Sequence, residues 1–196
     1  MTLVAVPATA SAQAARGPVG WRSRLLLGGF DRSGQLVSEG PGLRVRTTEA
    51  GLWWDTTMVG LKAFAMVMEG DLQPNSVENG FGVFVGGRDL ESEKAAYLSF
   101  QIRGDGTYLL ELRDGLRVHA LAPWKPHRAI EKALGEIPTH YAIRFEVRPL
   151  RIDMIVNNIK VHTIDRATVR ADGFAGMRFD AGIEMNLTKF AIEPIR

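Results

Sequence analysis

The chain has 196 residues, 45% hydrophobic and 23% charged, with a formal net charge of +2 from 24 basic and 22 acidic side chains, and no cysteine. That length suits one large domain or two small ones and is enough to bury a sizeable core. Near-balanced charge with no basic run argues against a nucleic-acid partner, and the missing cysteine excludes disulfides, thiolate metal sites and a Cys nucleophile.

Residues 1–15 (MTLVAVPATASAQAA) carry no charged side chain. Leu3 to Ala8 resembles part of an apolar export-signal core, and Ala12-Gln13-Ala14 is an A-x-A cleavage pattern. Residues 1–16 read as the rear part of an export signal, with a disordered Ala/Thr-rich tail as the alternative; the first reading implies a secreted or periplasmic protein. No later stretch has the apolar length of a transmembrane helix. The 21 glycines and 9 prolines, spread between short runs rich in Val, Ile, Phe and Tyr, predict an all-β chain.

The Leu25-Leu26-Leu27 run is a candidate start for the first strand, followed by strands over residues 43–47 and 51–54. Residues 62–69 (KAFAMVME) alternate Phe64, Met66 and Met68 with Ala63, Ala65 and Val67. Apolar residues in both phases predict a central strand covered on both faces. Trp53 and Trp54 are adjacent and point to opposite sides of their strand, so at most one is a surface platform.

Residues 81–124 hold four alternating runs. Arg103-Gly104-Asp105-Gly106-Thr107 reads as a three-residue hairpin loop that sets Arg103 opposite Thr107, Gln101 opposite Leu109 and Ser99 opposite Glu111. The next turn, Arg113-Asp114-Gly115, allows two registers. A two-residue loop puts Leu112 and Leu110 in phase with Arg117 and His119. A three-residue loop pairs Leu112 with Leu116, Leu110 with Val118, and sets Glu111 beside Arg117. A one-residue slip swaps the faces, and matching polarity selects the three-residue loop.

Further on, residues 130–134 offer one helical turn. Residues 141–147 and 150–156 form a hairpin around Arg148-Pro149, with Glu146 opposite Arg151 and with Arg144 and His162 flanking Asp153. Asn157-Asn158 suits a type I′ turn, and residues 173–179 and 183–192 supply two more strands. Eleven to thirteen strands without a disordered linker or a fixed-period repeat point to one two-sheet sandwich over residues 17–196.

These features together resemble the concanavalin A-like lectin/glucanase jelly rolls, specifically bacterial secreted domains near the 3-keto-disaccharide hydrolase-like group. The resemblance rests on GVFVGGRD (82–89), YLSFQIRGDG (97–106), Val118-His119-Ala120 with Trp124, IDMIVNN (152–158) and DGFAGMR (172–178), and spans roughly residues 35–193. It implies an antiparallel two-sheet jelly-roll sandwich, and its signature marks scaffold turns rather than activity. The glucanase carboxylate motif, Glu-x-Asp-x-x-Glu on one strand, is absent. Retaining glycosidases need two carboxyl groups about 5–5.5 Å apart, and Glu111 stands alone on its strand face in this reading.

The predicted ligand-binding set is Tyr97, Gln101, Arg103, Glu111, Arg117, His119 and Trp124, lining a concave polar face. Glu111 and His119 are the candidate acid/base pair for a hydrolase reading. The bland alternative is a solvated outer face with ordinary cross-strand pairs. A third reading has this face meet another protein. His127, His140 and His162 lack metal-ligand spacing, and the acids at Asp89 and Asp105 are too sparse for calcium. No cofactor or metal is expected, and carbohydrate is the expected partner.

Overall fold

Alternating sequence becomes strand almost everywhere that a computed structural model describes the chain, namely residues 20–26, 34–39, 42–57 and 62–195. The signal-like residues 1–16 lie outside the described residues. The described residues hold fourteen strands: β1 (Trp21–Leu25), β2 (Gly34–Glu39), β3 (Gly42–Thr47), β4 (Gly51–Asp55), β5 (Phe64–Leu72), β6 (Phe81–Arg88) and β7 (Ala96–Ile102). They continue as β8 (Thr107–Asp114), β9 (Arg117–Pro126), β10 (Thr139–Val147), β11 (Arg151–Val156), β12 (Ile159–Asp165), β13 (Phe174–Phe179) and β14 (Glu184–Pro194). The expected helical turn at residues 130–134 is absent. Short 3₁₀ turns stand instead at Pro74–Ser76 and Arg166–Thr168.

The strands form two antiparallel seven-stranded sheets, the predicted jelly-roll sandwich. The front sheet runs β1-β4-β13-β6-β7-β8-β9 and the back sheet β12-β11-β10-β5-β14-β3-β2. β5 is the middle strand of the back sheet, as its two apolar phases predict. The core lies between the sheets. Phe81, Val83, Leu98, Phe100, Ile102, Leu110, Met177 and Phe179 from the front meet Met66, Met68, Tyr141, Ile143, Phe145, Ile152 and Met154 from the back, all fully buried. Each such side chain contributes about 1.5–3 kcal/mol on burial. Phe81 and Tyr141 meet edge to face across the two sheets at 5.4 Å between centroids. The Tyr141 hydroxyl, donating to the Glu131 carbonyl at 2.6 Å, is pushed up to about 12 mainly by burial.

Local turn chemistry sets several registers as predicted. The Arg103 N–H donates to the Thr107 carbonyl at 2.9 Å, and Ser99 faces Glu111 while Gln101 faces Leu109. Asn157 and Asn158 both take positive φ, +49° and +64°, with Val156 opposite Ile159.

Two registers on the back sheet differ from expectation. The Arg148 N–H donates to the Arg151 carbonyl at 2.9 Å, so the loop is Pro149-Leu150 and Glu146 faces Asp153 rather than Arg151. Charges then pair along each strand at i, i+2: Glu146 accepts from Arg144 and Arg148, and Asp153 from Arg151. Burial works against the charge on Asp153, yet Thr163, Lys160 and Arg151 hold its carboxyl below the ordinary value. A β-bulge between Met154 and Ile155 then places His162 opposite Met154, not beside Asp153. The ring turns inward, where its Nδ1 lies 3.2 Å from the Tyr108 hydroxyl and ties the two sheets together. Burial and the nearby Lys125 push its pKa down.

Candidate functional site

The outer face of the front sheet takes the residues that alternate with the core, and it divides into two ends. At one end Leu52, Trp54, Phe84, Leu90 and Tyr97 form a second apolar cluster. The loop after β6 folds over it and plugs it with Leu90, which is 3% exposed. Two arginines of β1 clamp this loop. Arg24 donates to the Leu90 carbonyl at 2.9 Å and to the Ser92 carbonyl, and Arg22 pairs with Glu91. An open cavity of about 430 Å³ beside the loop is lined by Arg22, Trp54, Asp89 and Phe174 among others. Tyr97 is 2% exposed beneath this cover, and its ring packs on Phe84 with centroids 5.6 Å apart. It is a packing residue, not a ligand platform. Trp53 sits in the main core and Trp54 in this cluster, so neither presents an exposed face.

The other end is polar. Its central row runs Arg178, Gly82, Gln101, Leu109 across β13, β6, β7 and β8. Met177 and Phe179 face the core, which turns Arg178 outward. A Cβ on Gly82 would meet the Phe100 carbonyl oxygen at 2.1 Å, so the β7 backbone fills the place of a side chain here and only glycine fits between Arg178 and Gln101. Asp180, just past β13, organises the row. Its Oδ2 accepts the Gly80 N–H at 3.0 Å, and its Oδ1 accepts Arg178 Nη1 at 3.0 Å and Gln101 Nε2 at 3.5 Å. Arg178 Nη1 also donates to the Phe179 carbonyl at 2.7 Å. The Arg178 Nε is buried and unpartnered, as is that of Arg103. The Arg103 guanidinium lies over the Trp124 ring, 3.8 Å from its centroid, a contact worth about 0.5–2 kcal/mol.

Glu111 stands in the next row, beside Ser99. Burial pushes its carboxyl up; Arg178 and Arg113 pull it back, and Asp180 pushes it further. The expectation that Glu111 is the lone carboxylate of its face is therefore corrected: Asp180 shares it. Local alternation within residues 177–180 could have put Arg178 and Asp180 in one outward phase. That β13 lies beside β6 is a matter of sheet order, which no local pattern carries.

Of the predicted set, Gln101, Arg103, Glu111 and Trp124 converge at this end. Arg117 and His119 do not. Asp114 pairs with Arg117, Leu112 with His119 and Glu111 with Ala120, which is the two-residue loop. Gly115, with φ +62°, is the first central residue of that loop and Leu116, without positive φ, the second, the sign pattern of a type II′ turn. Arg117 and His119 thus occupy the core-facing phase of an edge strand that runs past the core. Leu116 is 76% and Val118 49% exposed instead of buried. Polarity matching failed here because it constrains register only where a second sheet covers the strand. Two bulges in β9, opposite the Tyr108–Glu111 stretch, return Ala122 to the core and Trp124 to the outer phase. Asp105 is engaged in its own turn, its Oδ1 accepting from the Thr107 N–H and hydroxyl at 2.9 and 2.6 Å. No three His, Cys, Asp or Glu side chains gather as metal ligands among the described residues.

No protein-family model matches the chain, and no curated protein matches it by sequence. Solved structures share its fold. The carbohydrate-binding module CBM66 from Bacillus subtilis aligns with TM-score 0.65 at 9% identity, covering 89% of this chain and 95% of that one. A GH16 protein of the Bacteroides ovatus mixed-linkage glucan locus, in complex with the product G4G4G3G, gives 0.62 at 10% identity over 88% and 94%. The Ca²⁺-bound exoplasmic/lumenal domain of VIP36 gives 0.62 at 11% identity over 90% and 84%.

Proposed function

The chain has the concanavalin A-like lectin/glucanase jelly-roll fold, and we propose that it is an exported carbohydrate-recognition sandwich. The saccharide lies on the polar end of the front sheet's outer face, hydrogen-bonded by Gln101, Glu111, Arg178 and Asp180 and flanked by Trp124. One observation carries this reading: these donors and acceptors, with an aromatic beside them, converge at one end of the sheet face, where Glu111, Asp180, Arg103 and Trp124 are partly exposed and Gln101 and Arg178 are buried behind them. Sugar sites combine such convergent polar groups with an aromatic surface. The neighbours named for carbohydrate binding support it, and the A-x-A pattern at residues 12–14 supports export. Calorimetry and a glycan array with the full chain test the assignment. Binding is expected, weakened by about 2–10-fold in Trp124→Ala, the range an aromatic contact supplies. A screen in which no saccharide binds sinks it.

A second reading is hydrolysis of a glycoside or keto-sugar derivative. It is favoured by two carboxylates on one face in different environments, Glu111 raised by burial and Asp180 held by Arg178 and the Gly80 N–H. Two carboxyl groups flanking a bond are the usual apparatus of glycoside hydrolysis. Turnover that disappears in Glu111→Gln would promote this reading, and His119 plays no part in it.

A further inference from the structure

Pairing at the polar end is incomplete. Arg103 and Arg178 stand there with Asp180 and Glu111, and Arg113 follows two residues on from Glu111 along β8, opposite Tyr97. Asp180 is already shared between Arg178, the Gly80 N–H and Gln101, so its charge is committed to Arg178. Arg113 donates through Nε to the Gly115 carbonyl at 3.0 Å, a neutral acceptor. Arg103 sits over the Trp124 indole, its guanidinium carbon 3.8 Å from the ring centroid, and among the described residues no carboxylate pairs with it. Asp105, the acid nearest to it in sequence, is engaged by Thr107. Arg178 uses only Nη1, and neither Nε nor Nη2 makes a hydrogen bond.

Donors therefore outnumber acceptors at a place where a neutral sugar needs both. A guanidinium fixed by an aromatic ring presents a planar fork of N–H groups. That fork fits carboxylate or sulfate oxygens better than a single hydroxyl, and such charge-assisted bonds are about twice as strong as neutral ones.

We infer that the saccharide is acidic, with its anionic group held by Arg103 and the free edge of Arg178. The inference rests on the proposed outer-face site and names its ligand class. Titrations of the full chain by calorimetry compare oligouronates, their methyl esters, sulfated oligosaccharides and neutral gluco- and xylo-oligosaccharides. An acidic sugar is expected to bind at least about tenfold more tightly than its neutral counterpart, one charged hydrogen bond's worth, and to lose that preference in Arg103→Gln. Arg103→Lys, which keeps the charge but not the fork, is expected to restore it only in part. A thermal melt of each variant shows that it folds. Equal or tighter binding of the neutral sugars overturns the inference while leaving the outer-face site standing. Acidic sugars that bind Arg103→Gln as tightly as the unaltered chain overturn it too. If nothing binds, the site reading itself falls.

Discussion

Removing the Asp180 carboxylate tests whether that side chain holds the polar end together. Arg178 and Asp180 are 11% and 27% exposed at their side chains and 3.0 Å apart. Breaking a fully buried pair costs about 3–5 kcal/mol, mostly because the surviving charge stays buried and uncompensated. Here the carboxylate is a quarter exposed, which brings the cost just below that range, to about 2–3 kcal/mol. The Gly80 N–H loses its acceptor as well, adding about 1 kcal/mol. The long contact from Gln101 adds little. Asp180→Ala should therefore destabilise by about 3 kcal/mol, or about 6–12 °C in melting temperature at this chain length. The double variant Asp180→Ala with Arg178→Met removes the stranded cation too. Its remaining cost, an unpaired Gly80 N–H and Phe179 carbonyl, is about 1–2 kcal/mol, so it should melt above the single variant. Thermal and urea denaturation of the two variants measure this directly. If Asp180→Ala shifts the midpoint by less than about 2 °C, or if adding Arg178→Met lowers it further, the pair is not the organiser described here.

Three further outcomes follow from the same sheet. Burial holds the Glu111 carboxyl above its ordinary value of 4.5, so at neutral pH its charge opposes folding. That cost shrinks as pH falls through the folded-state pKa and is gone below the unfolded one. Glu111→Gln should accordingly raise the melting temperature at pH 7, with the gain vanishing below about pH 4.5; a gain that persists at pH 4 contradicts the cause given. Tyr97→Ala empties a buried aromatic site and should cost about 3–5 kcal/mol without weakening saccharide binding in the protein that remains folded. His119→Ala should leave both melting temperature and binding unchanged, and a loss of binding there would restore the rejected register.

What the sequence made legible follows from the range over which each signal acts. Asn157-Asn158 and the Arg103–Thr107 loop are local, and residue type alone specified their geometry. The strands themselves, and β5 as the centre of its sheet, came from alternation checked by burial on both sides. The Arg113–Leu116 turn was local too, yet its register was chosen by polarity, and β9 lies at an edge where polarity has no core to satisfy. A bulge between Met154 and Ile155 turned His162 inward, although nothing in the composition of residues 159–165 announces it.

The site shows the same division more sharply. Gln101, Arg103 and Glu111 were found because they share one hairpin. Asp180, 79 residues from Gln101 along the chain, meets it only because β13 inserts between β4 and β6. That insertion places a carboxylate and a buried arginine against a glycine in β6, and the row at Gly82 acquires its chemistry from a strand nearly a hundred residues later in the chain. Tyr97 was misjudged for the converse reason. Its phase was right, but a loop anchored by two arginines of β1 lies over it. Phase within a strand decides which side of a sheet a residue faces, and only tertiary order decides whether that side is open. The open end of this face is therefore defined by what β13 brings to it and by where the Leu90 loop stops.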